Sequence, residues 1–94
     1  MVGRLTTALV AAAMVFTGAF TTQTYDLNIG TNCTANSQCY NDDGLGNITG
    51  ACVTDQSVSG HSCVSRFGAG YSLTGGVCKT PSTLQTCTCS CFHA

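Results

Sequence analysis

Eight cysteines, two histidines and four aspartates are the side chains here best suited to metal, nucleophilic or acid–base chemistry. The densest group is Cys87, Cys89, Cys91 and His93, set at every second position. Thiolates and imidazole are good ligands for Zn²⁺ or Cu(I). A metal site would need reduced thiols, and zinc domains space their ligands as Cys-x₂₋₄-Cys rather than Cys-x-Cys. Structural disulfides fit better, and neither a metal nor another cofactor is expected. Asn41-Asp42-Asp43-Gly44 places two carboxylates side by side. A calcium loop spreads acidic ligands over alternating positions and closes with Glu, and this chain has no Glu. The segment reads as a Gly-terminated turn. His61 and His93 have no free thiol to activate, and the aspartates form no recognisable catalytic arrangement. The expectation is a protein that is not an enzyme.

Two segments bear on surfaces instead. Asn32-Cys33-Thr34 and Asn47-Ile48-Thr49 match the N-glycosylation sequon. Asn47 falls in the Gly-rich stretch between Cys39 and Cys52, whereas Asn32 abuts a cysteine whose bridge competes with glycan transfer. Arg66-Phe67-Gly68-Ala69-Gly70-Tyr71 sets one cation and two aromatics between glycines. Arg, Phe and Tyr are enriched in interface cores, so Arg66, Phe67 and Tyr71 are the candidate partner-binding residues. The plainer alternative is that Phe67 or Tyr71 plugs a small core while Arg66 keeps the loop soluble.

The elements that must position these groups depend on the compartment. Met1-Val-Gly-Arg4 gives a short basic start, and Leu5 to Phe16 runs without a charge. Such a run falls short of the ~20 apolar residues that span a bilayer and suits a secretory h-region of ~7–15 residues. Thr17 and Ala19 supply the small residues at a cleavage site after Ala19, with a second choice after Thr21. The expectation is a helical signal peptide over 1–19 and a secreted, extracellular product. That product keeps all eight cysteines, which then exceed a tenth of the chain, a composition typical of disulfide scaffolds. Export to an oxidising compartment pairs them.

After residue 19 the charges are Arg66 and Lys79 against Asp26, Asp42, Asp43 and Asp55. Nucleic-acid binding asks for a basic face, and membrane-active peptides need more cations than two. Neither partner is expected, nor is membrane insertion of the mature chain. Large apolar residues are few and Glu and Lys nearly absent, so the expected fold is small and disulfide-rich. It should be mostly irregular, with short antiparallel strands and little helix. Residues 20–32 read as a flexible, loosely held N-terminal arm in which Tyr25, Leu27 and Ile29 alternate as in a short edge strand. Residues 33–94 form the disulfide-rich mini-domain. Within it, Gly50-Ala-Cys52-Val-Thr54, Gly60-His-Ser-Cys63-Val-Ser65 and Gly76-Val-Cys78-Lys-Thr80 read as strands entered from turns, giving a small meander.

In Thr86-Cys87-Thr88-Cys89-Ser90-Cys91 the period of two puts three cysteines on one face of an extended strand. Neighbours on that face sit ~6.6 Å apart with parallel side chains, a poor geometry for bridging one another. Each should therefore reach a different upstream cysteine among Cys33, Cys39, Cys52, Cys63 and Cys78, leaving the remaining two to pair. More than half of the pairings that eight cysteines allow stay open.

Cys33-Thr-Ala-Asn-Ser-Gln-Cys39, the later Gly-x-Cys segments and the closing Cys-x-Cys resemble the EB-module and EGF-like class of extracellular repeats. The general style is also similar to small secreted cysteine-rich effectors and toxins. The resemblance spans residues 33–91 and implies an extracellular module that acts by binding a protein or glycan. The Cys39–Cys52 and Cys63–Cys78 gaps are long for an EB module, the EGF spacing does not fit, and no functional residue carries over. A protease inhibitor presenting Arg66 on a disulfide-framed loop, and a structural extracellular or cell-wall protein, are the alternative readings.

Overall fold

The computed structural model describes residues 21–94; the signal-peptide reading of 1–19 lies outside the described residues. The organising element is β5, Thr86–His93, whose alternation leaves Cys87, Cys89 and Cys91 without solvent exposure. β5 is the central strand of a three-stranded antiparallel sheet, between β1 (Thr21–Asn28) and β4 (Ser72–Cys78). The segment between β1 and β4 carries a 3₁₀ turn at Asn36–Gln38, a two-stranded hairpin of β2 (Asn41–Asp42) and β3 (Ile48–Thr49), and helix α1 (Cys63–Phe67). A second 3₁₀ turn at Ser82–Leu84 precedes β5. Over the described residues the fold is small, disulfide-rich and mostly β, with almost no helix.

Three bridges join β5 to this connecting layer in chain order: Cys39–Cys87, Cys52–Cys89 and Cys63–Cys91, with Cα atoms 5.6 to 5.8 Å apart. The fourth, Cys33–Cys78, pairs the two remaining upstream cysteines. The tail cysteines thus reach three different upstream partners, as their spacing requires. Each step of two residues along β5 advances ~6.6 Å, so the connecting layer runs along the strand in the same direction. Of the nine buried core residues among the described ones, seven are half-cystines, with Tyr25 and Leu27 beside them. Sulfur fills the space that a larger domain would give to Leu and Val.

Within the stretch expected to be a flexible arm, residues 21–28 form a fully paired strand. All eight residues of β1 pair with β5, from Thr21↔His93 to Asn28↔Thr86. Tyr25 and Leu27 turn inward at 4% and 9% exposure, and Ile29 N–H donates to Gln85 O at 2.9 Å. The alternation of Tyr25 and Leu27 is an edge-strand pattern, and burial of these two side chains on the cystine face fixes the strand. The sheet is not a simple meander either, because its N-terminal strand pairs with the last one.

Of the three glycine-led cysteine segments only Gly76-Val-Cys78 lies in a strand. Cys63-Val-Ser65 is helical because the Ser62 and Ser65 hydroxyls each accept the other's backbone N–H at 3.1 Å, a reciprocal N-terminal cap. Cys52 falls in a loop after Gly50, which takes φ +115° against the backbone of Cys39.

On the opposite face of the sheet, Asp26 on β1 accepts Thr88 Oγ1–H at 2.9 Å and Lys79 Nζ–H at 2.6 Å. These bonds, Lys79's first, hold the Asp26 carboxyl below the usual carboxylate range. A folded pKa lowered in this way stabilises the fold above the unfolded pKa and is lost as pH falls through the folded pKa. Asp26 is half exposed, so screening leaves about 0.5 kcal/mol or less. Asp26→Asn is therefore expected to lower the urea midpoint slightly at neutral pH and not at all below the folded pKa. A difference that survives at the acid end would mean that the substitution acts by another route.

Candidate functional site

The inward stripe of β5 continues past Cys91 to His93, and the cystine stack ends in an aromatic cap. Gln23 and Thr21 stand opposite Cys91 and His93 on β1. Helix α1 is fastened beneath by Cys63–Cys91. It ends at Gly68, whose φ of +117° turns the chain away while its N–H donates to Val64 O at 2.8 Å. The chain then passes under the His93 imidazole at Gly70, where a Cβ would collide with the ring, and Tyr71 leads into β4.

This path brings Arg66, Phe67 and Tyr71 together and adds Tyr25 and His93. Ring centroids lie 6.0 Å apart for Tyr25–Phe67, 5.5 Å for Phe67–Tyr71 and 5.1 Å for Tyr71–His93. These spacings fall in the range where edge-to-face and tilted contacts add to simple burial. The exposed Arg66 guanidinium stands 5.1 Å from the Tyr25 ring centroid, within cation–π range, and reaches Gly60 O at 3.4 Å. Tyr71 Oη accepts from Gln23 Nε2 at 3.2 Å. Burial pushes the Tyr25 hydroxyl pKa up, with Arg66 opposing, and Tyr25 Oη has no hydrogen-bond partner among the described residues.

Phe67 and Tyr71 both pack against the core from half-buried positions, which fits the plug reading of those rings, while Arg66 is exposed and His93 is half-buried. Tyr25 and His93 are additions to the candidate partner-binding residues expected from the sequence. The period of two that aligns Cys87, Cys89 and Cys91 carries His93 onto the same face, where it meets the Tyr71 ring.

The other candidate residues lie elsewhere in the fold. Asn47 is exposed at the end of the turn between β2 and β3. Its side-chain Nδ2 donates to Asp43 Oδ2 at 2.7 Å, and its N–H donates to Asp43 Oδ1 at 3.1 Å. Asp43 Oδ1 also accepts Leu45 N–H at 2.7 Å, and Asp42 Oδ1 accepts Gly44 N–H at 2.9 Å. The paired carboxylates therefore organise a turn, and these bonds, Asn47's first, lower the Asp43 pKa. Asn32 is also exposed and meets Gln85 Nε2 at 3.5 Å. The sulfurs of Cys33, Cys39 and Cys87 gather within 4.8 Å of one another, but all eight cysteines are bridged and offer no thiolate to a metal. Among the described residues, no helix is long and apolar enough to cross a membrane.

Comparison with known protein families, with curated proteins and with solved structures finds no match.

Proposed function

We propose that this is a secreted interaction protein, and that the cap of Arg66, Tyr71 and His93 is the surface that binds an extracellular partner. The carrying observation is the convergence of Arg66, Phe67 and Tyr71 with Tyr25 and His93 on a frame stapled directly beneath by Cys63–Cys91. A surface already ordered by a disulfide and by ring packing loses little conformational entropy on docking. Arg and Tyr are among the residue types most enriched in binding hot spots. The inhibitor alternative draws no support from the same geometry, because Arg66 stands in helical backbone with its head folded over Tyr25 rather than on an extended loop.

The test is capture with the folded, oxidised protein from extracellular fractions, followed by titration of the captured partner. Arg66→Ala and Tyr71→Ala should each weaken binding by about 1–2 kcal/mol, roughly 5- to 30-fold. Phe67 and Tyr71 both pack on the core, so Phe67→Ala and Tyr71→Ala should also lower stability, and urea unfolding of each variant separates that loss from lost binding. Wild-type affinity in both folded Arg66 and Tyr71 variants would refute the assignment of this surface. A captured glycan rather than a protein would change the partner class.

A further inference from the structure

The four bridges differ in access. Seven of the eight cysteines are at most 1% exposed, and only Cys78 is partly open. Cys78 and Cys33 line an open cleft of about 560 Å³ whose other walls are Thr34, Ala35, Asn36, Thr80 and Ser82. Among the described residues no charged side chain lines it, so none of these walls repels an anionic nucleophile. Behind the bridge, the Cys33 sulfur lies 3.4 Å from the Cys39 sulfur, and the Cys39–Cys87 bridge lies wholly inside the core. An accessible bridge therefore touches a protected one sulfur to sulfur.

We propose that Cys78 is a site of thiol–disulfide exchange with a low-molecular-mass thiol, and that Cys33 relays the exchange to Cys39–Cys87. The incoming thiolate attacks Cys78 Sγ from the cleft. A new bond forms between the two sulfurs, the Cys33–Cys78 bond breaks, and its electron pair leaves with Cys33 as a thiolate. This is the ordinary exchange step through a mixed disulfide. The Cys33 thiolate then attacks the neighbouring Cys39 Sγ, after a side-chain rotation that brings it in line with the Cys39–Cys87 bond. Cys33–Cys39 forms, Cys39–Cys87 breaks, and Cys87 departs as the thiolate. The number of disulfides is unchanged if the adduct on Cys78 is counted, so no oxidant is required. The 3₁₀ turn at Asn36–Gln38 separates Cys33 from Cys39 in the chain and already holds their sulfurs in contact. Cys52–Cys89 and Cys63–Cys91 stay closed, and β5 remains fastened under the aromatic cap.

Native protein treated with reduced glutathione, quenched in acid, alkylated and mapped by mass spectrometry tests both steps. The expected first product carries glutathione on Cys78, a Cys33–Cys39 bridge and an alkylated Cys87. Adduct formation at Cys78 should outpace that at any other cysteine by at least about tenfold, in keeping with the dependence of exchange on access. Alkylation at Cys33 with Cys39–Cys87 intact would overturn the relay. A first adduct on any other cysteine, or loss of all four bridges together, would overturn the site.

Discussion

Replacing Cys52 and Cys89 together by alanine is expected to cost about 4 kcal/mol and to leave little folded protein near body temperature. The bridge spans 37 residues, for which loop-closure entropy in the unfolded chain gives ~3–4 kcal/mol. Both sulfurs are buried in the middle of the cystine stack, so their removal also leaves a gap that a sparse core cannot refill. Net stabilities of single domains run ~5–15 kcal/mol, and one such loss takes a large part of that. The matched pair Cys33→Ala with Cys78→Ala closes a comparable span of 45 residues but empties the edge of an open cleft. It should be the milder of the two. Urea unfolding with near-ultraviolet circular dichroism reads both, and a wild-type midpoint for Cys52→Ala with Cys89→Ala would show that the stack does not carry the fold.

Gly50→Ala should be nearly as damaging, by a different route. Gly50 takes φ +115°, and a Cβ there would lie 2.7 Å from both the carbonyl carbon and the oxygen of Cys39. Those atoms belong to the backbone and cannot swing aside. The same contact is tied by Ala51 N–H to Gln38 O at 2.9 Å and Cys52 N–H to Cys39 O at 3.0 Å. Moving the chain to admit a methyl group would displace Cys39 and Cys52, which lead to adjacent rungs on β5. The cost should reach about 3 kcal/mol or more, combining backbone strain with steric overlap. Gly44→Ala is the control, since φ is +79° but nothing lies near its Cβ position, and about 1–2 kcal/mol is expected. Oxidative refolding followed by chromatography should give scrambled isomers for Gly50→Ala and the native isomer for Gly44→Ala. Native yield from both would remove the argument for close approach.

What could be read from residues alone followed how local the governing physics was. The period of two in Cys87, Cys89 and Cys91 shows a strand and sends each sulfur to its own partner. It cannot rank the partners, because the order 39, 52, 63 is set by the path of the intervening layer. The five residues of α1 are too few for a helical period to register, and the cap that starts it uses Ser65 where the familiar signature has Glu or Gln. β1 was legible as an alternation but not as a firmly paired strand, since its partner lies at the other end of the chain. Arg66, Phe67 and Tyr71 are close in sequence and stay close in space. Tyr25 joins them only through the pairing of β1 with β5, and His93 through the pairing of β5 with β4.

The placement of β5 also bears on biosynthesis. A polypeptide emerges N-terminus first, and every rung of the ladder needs a cysteine between residues 87 and 91. Until that stretch is delivered, Cys39, Cys52 and Cys63 have no native partner, and β1 has no strand to pair with. Contacts of such long sequence separation slow folding and expose unfinished intermediates. The three rungs to β5 can therefore close only after the rest of their layer has been delivered, and any earlier, wrong pairing of Cys39, Cys52 or Cys63 has to be undone by thiol–disulfide exchange before they do.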